Sequence, residues 1–290
     1  VKERPALSMI RRAEERGEIR KGNAEVRAWS LMGMAVLLGQ RYGTAYRWLA
    51  AVKVLLGIGD PRGLRLPDVR SLGGCILITG FEPFGGQSIN PSWEVARALD
   101  GLQGLPAQVR AVQLPCVFAQ TARVLTRALD DFRPDVVLAL GQAEGRSDIS
   151  VERVAINVMD ARIADNAGAQ PIDQPVVAGG PAAYFSTLPI KHLVARMRAA
   201  GFPASVSQTA GTFVCNQVFY ALQHELAGQG VRSGFVHVPL LPEQAAHWPG
   251  PPLPSMPLGT QVAALTCALR CLCDGSVPDG DAQITGGSLN

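Results

Sequence analysis

The sequence predicts an α/β protein, a three-layer α/β/α sandwich in which helices cover both faces of a mostly parallel, twisted sheet. Short apolar runs typical of buried parallel strands lie at 75–79 and 135–140. Apolar residues at helical spacing occupy the segments between such runs, for example at 118–131 and 188–200. Regular alternation of strand and helix is typical of a sheet wrapped by helices.

The elements can be followed in order from the first strand. The strand at 75–79 runs into the glycine-rich segment 80–86, and a helix follows with Asn90 as its cap and Pro91 at its first position. The remaining predicted elements are strand 108–114, helix 118–131, strand 135–140, a strand that starts at Glu152, helix 188–200, strand 204–208, a helix through Cys215, strand 234–239 and helix 258–273.

Composition sets the class of protein. A chain of 290 residues with 47% hydrophobic content can bury one sizeable α/β core plus an appendage, which excludes a disordered chain. No apolar run reaches the roughly eighteen residues of a membrane span, and the opening residues do not resemble an export signal. We therefore expect a soluble, cytoplasmic protein without a membrane partner.

The cysteines give no sign of a metal or a disulfide framework. The six of them form neither a paired CxxC motif nor a Cys/His cluster; they stand at positions 75, 116, 215, 267, 271 and 273. We expect no metal and no cofactor, and reduced thiols suit a reducing compartment.

Charge and helical pattern set the N-terminal segment apart. Residues 1–72 carry 14 Lys/Arg and 7 Asp/Glu, whereas the rest of the chain is slightly acidic. This basic balance is weak evidence for nucleic acid, and we expect no such partner. The pattern predicts a short helical extension at 1–72, which either packs on the rest of the protein or on a second copy, or stays mobile. Of these outcomes we expect the last. At the other end, residues 275–290 are predicted to form a flexible tail.

Cys215 is the candidate nucleophile. Val214 and Val218 keep a helical spacing behind a turn at 209–212, so the thiol is placed in the first turn of a helix. The helix dipole, together with a nearby cationic imidazole, is expected to lower the thiol pKa toward neutrality. The alternative is an inert, buried packing cysteine.

His237 is the candidate base. It lies near the end of the buried strand 234–239, and an intervening helix and return strand are expected to bring it to a strand end near Cys215. A Cys–His pair performs acyl transfer, and a carboxylate that accepts the other imidazole N–H orients the ring. The residues alone leave Glu82, Glu152 and Glu243 open for that third position.

Four motifs follow one another along the chain: Gly80-Phe-Glu-Pro-Phe-Gly-Gly86, Glu152-Arg-Val-Ala-Ile-Asn157, the segment 209–220 and the segment 234–239. In this order they resemble the motifs of the pyroglutamyl peptidase I family of cysteine peptidases. The resemblance runs from about Ile76 to about Leu272 and implies a catalytic domain at 73–274. It also implies a homo-oligomer, a dimer or a tetramer.

The resemblance implies an exopeptidase that removes N-terminal pyroglutamate from peptides through a thioester acyl-enzyme. Its triad would be Cys215, His237 and Glu152.

The resemblance also implies a substrate pocket. Three phenylalanines, Phe81, Phe84 and Phe213, would sandwich the pyroglutamate ring, while Gln142 would hydrogen-bond the lactam. Arg162 and the backbone N–H of Cys215 would face the developing oxyanion. A neutral five-membered lactam suits flat apolar walls with a few fixed polar partners.

One departure from the family pattern concerns this pocket. Glu144 stands where the family usually has glycine, so a carboxylate could crowd or reshape the loop beside Gln142. Two other functions stay open: a non-catalytic peptide-binding or regulatory protein that keeps the pocket, and an amidase that acts on another lactam-like small molecule.

Overall fold

The computed structural model describes residues 74–273 and 281–287, which belong to a unit that begins at Gly74. The predicted helical extension at 1–72 lies outside the described residues. The strands are β1 (Gly74–Phe81), β2 (Ala107–Leu114), β3 (Val136–Gln142), β4 (Ile149–Glu152), β5 (Val154–Ile156), β6 (Ala183–Phe185), β7 (Ala204–Ser207) and β8 (Arg232–Val238). The helices are α1 (Pro91–Leu99), α2 (Phe118–Phe132), α3 (Ile190–Ala199), α4 (Val214–Glu225), α5 (Pro242–Ala246) and α6 (Leu258–Cys273).

Six strands form one central sheet in the order β2-β1-β3-β8-β4-β7. The first four of these run parallel, as predicted, while β4 runs antiparallel to β8 and parallel to β7. The predicted strand that starts at Glu152 is wrong in its bounds, because β4 ends at this residue and β5 begins two residues later. β5 pairs with β6 in a separate two-stranded sheet.

Helices pack on both faces of the central sheet, which confirms the predicted sandwich. Alternate residues of β3 show the division, since Val136, Leu138 and Leu140 join one apolar core and Val137 and Ala139 join the other. The first core is closed by α1, α3 and α6, and the second by α2 and α4. Among the described residues, none of the helices combines the length and apolar character needed to cross a membrane.

The first strand and helix approach each other very closely. The side chain of Asn90 accepts a hydrogen bond from Ser92 N at 3.1 Å, which caps α1 as predicted. A side-chain carbon at Gly80 would lie 2.3 Å from the carbonyl oxygen of Ser92, so only glycine fits at this crossing. The close contact fixes where the segment after β1 leaves the sheet.

A residue near the C-terminus caps α3. The helix follows Pro189, which supplies no side-chain cap, and the carboxylate of Asp281 takes that role. Its two oxygens accept hydrogen bonds from the backbone N–H groups of Lys191 and His192, both at 3.0 Å. The expectation of a flexible tail from residue 275 thus differs from the structure at 281–287, where the chain contacts the domain.

The cap predicts a measurable loss of stability in Asp281→Ala. Removing a side-chain cap leaves two helix N–H groups without their acceptor, so the free energy of unfolding should fall by about 1 kcal/mol. Asp281→Asn should lose less, because one amide oxygen still accepts. Urea unfolding measures both, and an unchanged midpoint in Asp281→Ala would show that the cap contributes nothing.

Candidate active site

Cys215 is the second residue of α4, so the prediction that it lies in a first helical turn is confirmed. Phe213 precedes the helix in extended conformation, and Gly211, with a φ of 76°, makes the turn before it. The hydroxyl of Thr212 donates a 2.7 Å hydrogen bond to the backbone oxygen of Asp160 and holds this turn in place. The N–H groups of a first turn have no partner within the helix, so the thiol lies beside free donors.

Gly141 lets the thiol approach the end of the sheet. A side-chain carbon at Gly141 would lie 2.9 Å from Sγ of Cys215 and 2.7 Å from a ring carbon of Phe235. Gly141 is also the β3 residue in register with His237 on β8. Adjacent strands lie about 4.8 Å apart, so the thiol occupies the space next to His237.

A buried carboxylate orients the imidazole. Nδ1 of His237 lies 2.7 Å from Oε1 of Glu152, and the two residues are 4% and 0% exposed. An ionised carboxylate only accepts hydrogen bonds, so Nδ1 carries the proton and Nε2 is left as a base. The direction of β4 makes this contact possible. Ser150 pairs with His237 in the antiparallel register, which places Glu152 diagonally across from the histidine on the same face.

Arg146 is a member of this cluster that the sequence analysis missed. Its Nη1 donates to Oε1 of Glu152 at 2.8 Å, and its Nη2 donates to the backbone oxygen of Thr209 at 3.2 Å. One signal in the sequence could have found it. A carboxylate buried with a histidine needs a cation nearby, and Arg146 stands six residues before Glu152.

The expected fall in the thiol pKa is wrong for the resting protein. Burial raises the pKa of Cys215, and the nearby Cys116 and Glu152 raise it further, while Arg146 and the backbone N–H of Cys215 oppose them. Burial also lowers the pKa of His237, although the hydrogen bond to Glu152 works in the other direction. Both shifts favour a neutral thiol and a neutral imidazole at rest.

Two of the three predicted pocket phenylalanines face each other. The ring centroids of Phe84 and Phe213 lie 6.0 Å apart, and Phe118 meets Phe213 edge-on at 5.3 Å. Phe81 differs from the expectation, because it is buried in the core with its ring centroid 6.5 Å from that of Phe235. Phe235 in turn lies 4.9 Å from the ring of His237. Phe81 thus supports the layer beneath the site.

The polar pocket residues have defined neighbours. Oε1 of Gln142, the last residue of β3, accepts a hydrogen bond from Nε2 of Gln244 at 3.1 Å. The role that the family resemblance implies for Arg162 at the oxyanion stays a prediction. The Arg162 side chain is 85% exposed and lies 3.8 Å from Glu144, the carboxylate that replaces the usual glycine.

The arrangement of a thiol at a helix N-terminus beside a histidine held by a buried carboxylate is suited to acyl transfer by a cysteine hydrolase. Within residues 74–273 and 281–287, no group of three or more His, Cys, Asp or Glu side chains is placed to hold a metal ion.

The family model for pyroglutamyl peptidase matches residues 75–274. The chain is 61% identical over 195 residues to a pyrrolidone-carboxylate peptidase of Pseudomonas fluorescens, covering 67% of this chain and 90% of that protein. It is 56% identical over 216 residues to the corresponding protein of Klebsiella pneumoniae, covering 74% and 99%. The chain therefore belongs to the pyroglutamyl peptidase family, which confirms the resemblance.

Solved structures agree with this assignment. The crystal structure of pyroglutamyl peptidase I from Bacillus amyloliquefaciens superposes with a TM-score of 0.67 at 42% identity, covering 72% of this chain and all of that one. A variant of the pyrrolidone carboxyl peptidase of Pyrococcus furiosus gives a TM-score of 0.66 at 43% identity, covering 67% and 96%. The α/β fold predicted from the sequence is that of the family.

A neutral Cys215 thiol beside a neutral His237 imidazole predicts how alkylation of Cys215 depends on pH. Iodoacetamide should react only while His237 is neutral, because the imidazole must take the thiol proton. Burial lowers the pKa of His237, so the rate should stay at its plateau down to a pH below the ordinary imidazole value of 6.5 and fall only in more acidic solution. Peptide mapping at a series of pH values measures this, with Cys267 as an internal reference.

A rate of Cys215 alkylation that is already halved above pH 6.5 would contradict the neutral pair. It would indicate a raised imidazole pKa and a thiolate–imidazolium ion pair in the resting site.

Proposed function

We propose that this chain is a cysteine exopeptidase that hydrolyses the amide bond after an N-terminal pyroglutamate. The observation that carries the proposal is the buried hydrogen bond between His237 and Glu152 next to the thiol of Cys215, in a chain of the pyroglutamyl peptidase family. The predicted homo-oligomer is part of the proposal and stays a prediction.

The first half of the reaction forms a thioester. Nε2 of His237 takes the proton from Sγ of Cys215 as the sulfur attacks the carbonyl carbon of the pyroglutamyl residue. The carbonyl oxygen becomes an oxyanion beside the backbone N–H of Cys215, where the positive end of the helix dipole stabilises negative charge. The imidazolium then protonates the leaving amine, the C–N bond breaks, and the shortened peptide departs.

The second half of the reaction returns the enzyme to its resting state. His237, neutral again, takes a proton from a water molecule that attacks the thioester carbon. The C–S bond breaks, the imidazolium returns its proton to the thiolate, and free pyroglutamate leaves. Each half transfers one proton to the imidazole and one proton away from it.

Glu152 and Arg146 have separate roles in this scheme. The carboxylate holds the ring with Nε2 toward the thiol and stabilises the imidazolium that forms in each half. Arg146 compensates the charge of Glu152 while the imidazole is neutral, since an unpaired buried carboxylate is costly. The charge of Glu152 is thus balanced at rest by Arg146, whose hydrogen bond shares Oε1 with that of His237.

The pocket favours a neutral, flat group. Phe84 and Phe213 form the two walls, and a ring stacked between them needs about 7 Å, twice the optimal carbon–carbon separation. Their centroids lie 6.0 Å apart, so binding would part the rings slightly through side-chain rotation. An N-terminal glutamate or glutamine that has not cyclised carries an ammonium group, which would lose its hydration in this slot.

The proposal predicts strong selectivity among chromogenic amides. Pyroglutamyl amide should be cleaved with a kcat/KM at least about 100-fold above that of prolyl or glutaminyl amide. The prolyl amide lacks the lactam carbonyl, and the prolyl and glutaminyl amides each carry an ammonium group. Steady-state kinetics on the three amides measures this. Equal rates for the prolyl and pyroglutamyl amides would rule out lactam recognition.

Cys215→Ala provides the control for these rates. It removes only the sulfur and should abolish turnover while the protein keeps its thermal unfolding midpoint. Residual hydrolysis at the wild-type rate would show that Cys215 is not the nucleophile.

A further inference from the structure

Both amide hydrogens and the carbonyl oxygen of the Gln244 side chain have hydrogen-bond partners. It lies in the short helix α5 and is 5% exposed. Its Oε1 accepts from Leu241 N at 3.0 Å, and its Nε2 donates to the backbone oxygen of Ile89 at 3.3 Å and to Oε1 of Gln142 at 3.1 Å. An amide nitrogen has two hydrogens, so both are used, and the side chain cannot turn over without losing three bonds.

This rigid amide fixes the orientation of Gln142. Because the amide group is planar, holding Oε1 of Gln142 toward Gln244 also determines where its Nε2 points. An amide without such a partner could present either atom to the pocket, since the two orientations have nearly the same shape.

We propose that Gln244 is a positioning residue that sets the amide orientation of Gln142 and thereby the selectivity of the pocket for a lactam. This inference rests on the proposed function, in which Gln142 binds the pyroglutamyl ring.

The chemistry of a lactam makes orientation decisive. Its N–H and C=O are held cis by the ring and lie side by side on one edge. The amide of Gln142 also presents a donor and an acceptor side by side: Nε2–H can donate to the lactam oxygen, and the second lone pair of Oε1 can accept from the lactam N–H. An amide turned by 180° would set donor against donor and acceptor against acceptor.

Gln244→Glu replaces the donor that faces Gln142 by an acceptor, with little change in the shape of the side chain. The carboxylate still accepts from Leu241 N, but toward Gln142 it offers an acceptor, so Nε2 of Gln142 should turn to it. The two hydrogen bonds between Gln142 and the lactam would then be lost. This loss should lower kcat/KM for a pyroglutamyl amide by about 10- to 100-fold, mainly through KM. The inhibition constant of 2-pyrrolidinone, the bare lactam, should rise by a similar factor.

Alkylation of Cys215 by iodoacetamide provides the second readout. It does not involve lactam recognition, so its rate should stay within about twofold of the wild-type rate in Gln244→Glu. A general disturbance of the site would change both readouts together.

Gln223→Glu is the matched control. Gln223 is similarly buried, at 4% exposure, and its Nε2 donates to Ser233 Oγ at 3.0 Å near the opposite end of β8. The same amide-to-carboxylate change there should leave KM and the inhibition constant of 2-pyrrolidinone unchanged.

Gln244→Met is a second variant at the same position. It removes the donor without turning the amide of Gln142, so kcat/KM for a pyroglutamyl amide should fall less than in Gln244→Glu. It also provides the test if the glutamate variant does not fold.

Unchanged KM and inhibition constant in both Gln244 variants, in a preparation whose wild type cleaves pyroglutamyl amide, would overturn the positioning role. An equal loss in Gln223→Glu, or a parallel loss of alkylation, would overturn it too, because the effect would then not be specific to the pocket. A wild type that binds 2-pyrrolidinone but does not cleave the amide would instead contradict the proposed function, and the dissociation constants of 2-pyrrolidinone, measured by calorimetry on wild type and variants, would still decide the role of Gln244.

Discussion

The site depends on one buried hydrogen bond, between Nδ1 of His237 and Glu152. A carboxylate with no solvent exposure is costly to bury, so the surrounding fold has to supply partners for it. The antiparallel direction of β4 brings it diagonally across from His237, and Arg146 supplies the positive charge. The position of the base, its tautomer and the direction of Nε2 all follow from this contact.

The same burial explains why the resting site is uncharged. A helix dipole stabilises a nearby anion by about 1 kcal/mol, whereas removing an ion from water costs several times more. The dipole at Cys215 therefore does not hold a thiolate at rest, and burial raises the pKa of this thiol instead. The stabilising groups act when substrate arrives, because the oxyanion and imidazolium then form together beside the helix N-terminus and Glu152.

The sequence predicted the sandwich because strand and helix periodicities alternate regularly, and it placed Cys215 and His237 at the right ends of their elements. The choice of Glu152 came from resemblance, since spacing alone could not separate it from other carboxylates. Two contacts were missed. Arg146 stands only six residues before Glu152, but nothing in the spacing says that this arginine pairs with the buried carboxylate. The cap that Asp281 provides joins residues about ninety positions apart and leaves no local pattern, because it arises only when the chain is folded.

The tautomer of His237 tests the role of this hydrogen bond most directly, and nitrogen-15 NMR on protein labelled in its four histidines measures it. The resonances of His237 can be assigned by their loss in His237→Ala. At neutral pH we expect a proton on Nδ1 and an unprotonated Nε2, because Glu152 accepts from Nδ1 and burial lowers the imidazole pKa. A proton on Nε2 alone, or on both nitrogens, would contradict it.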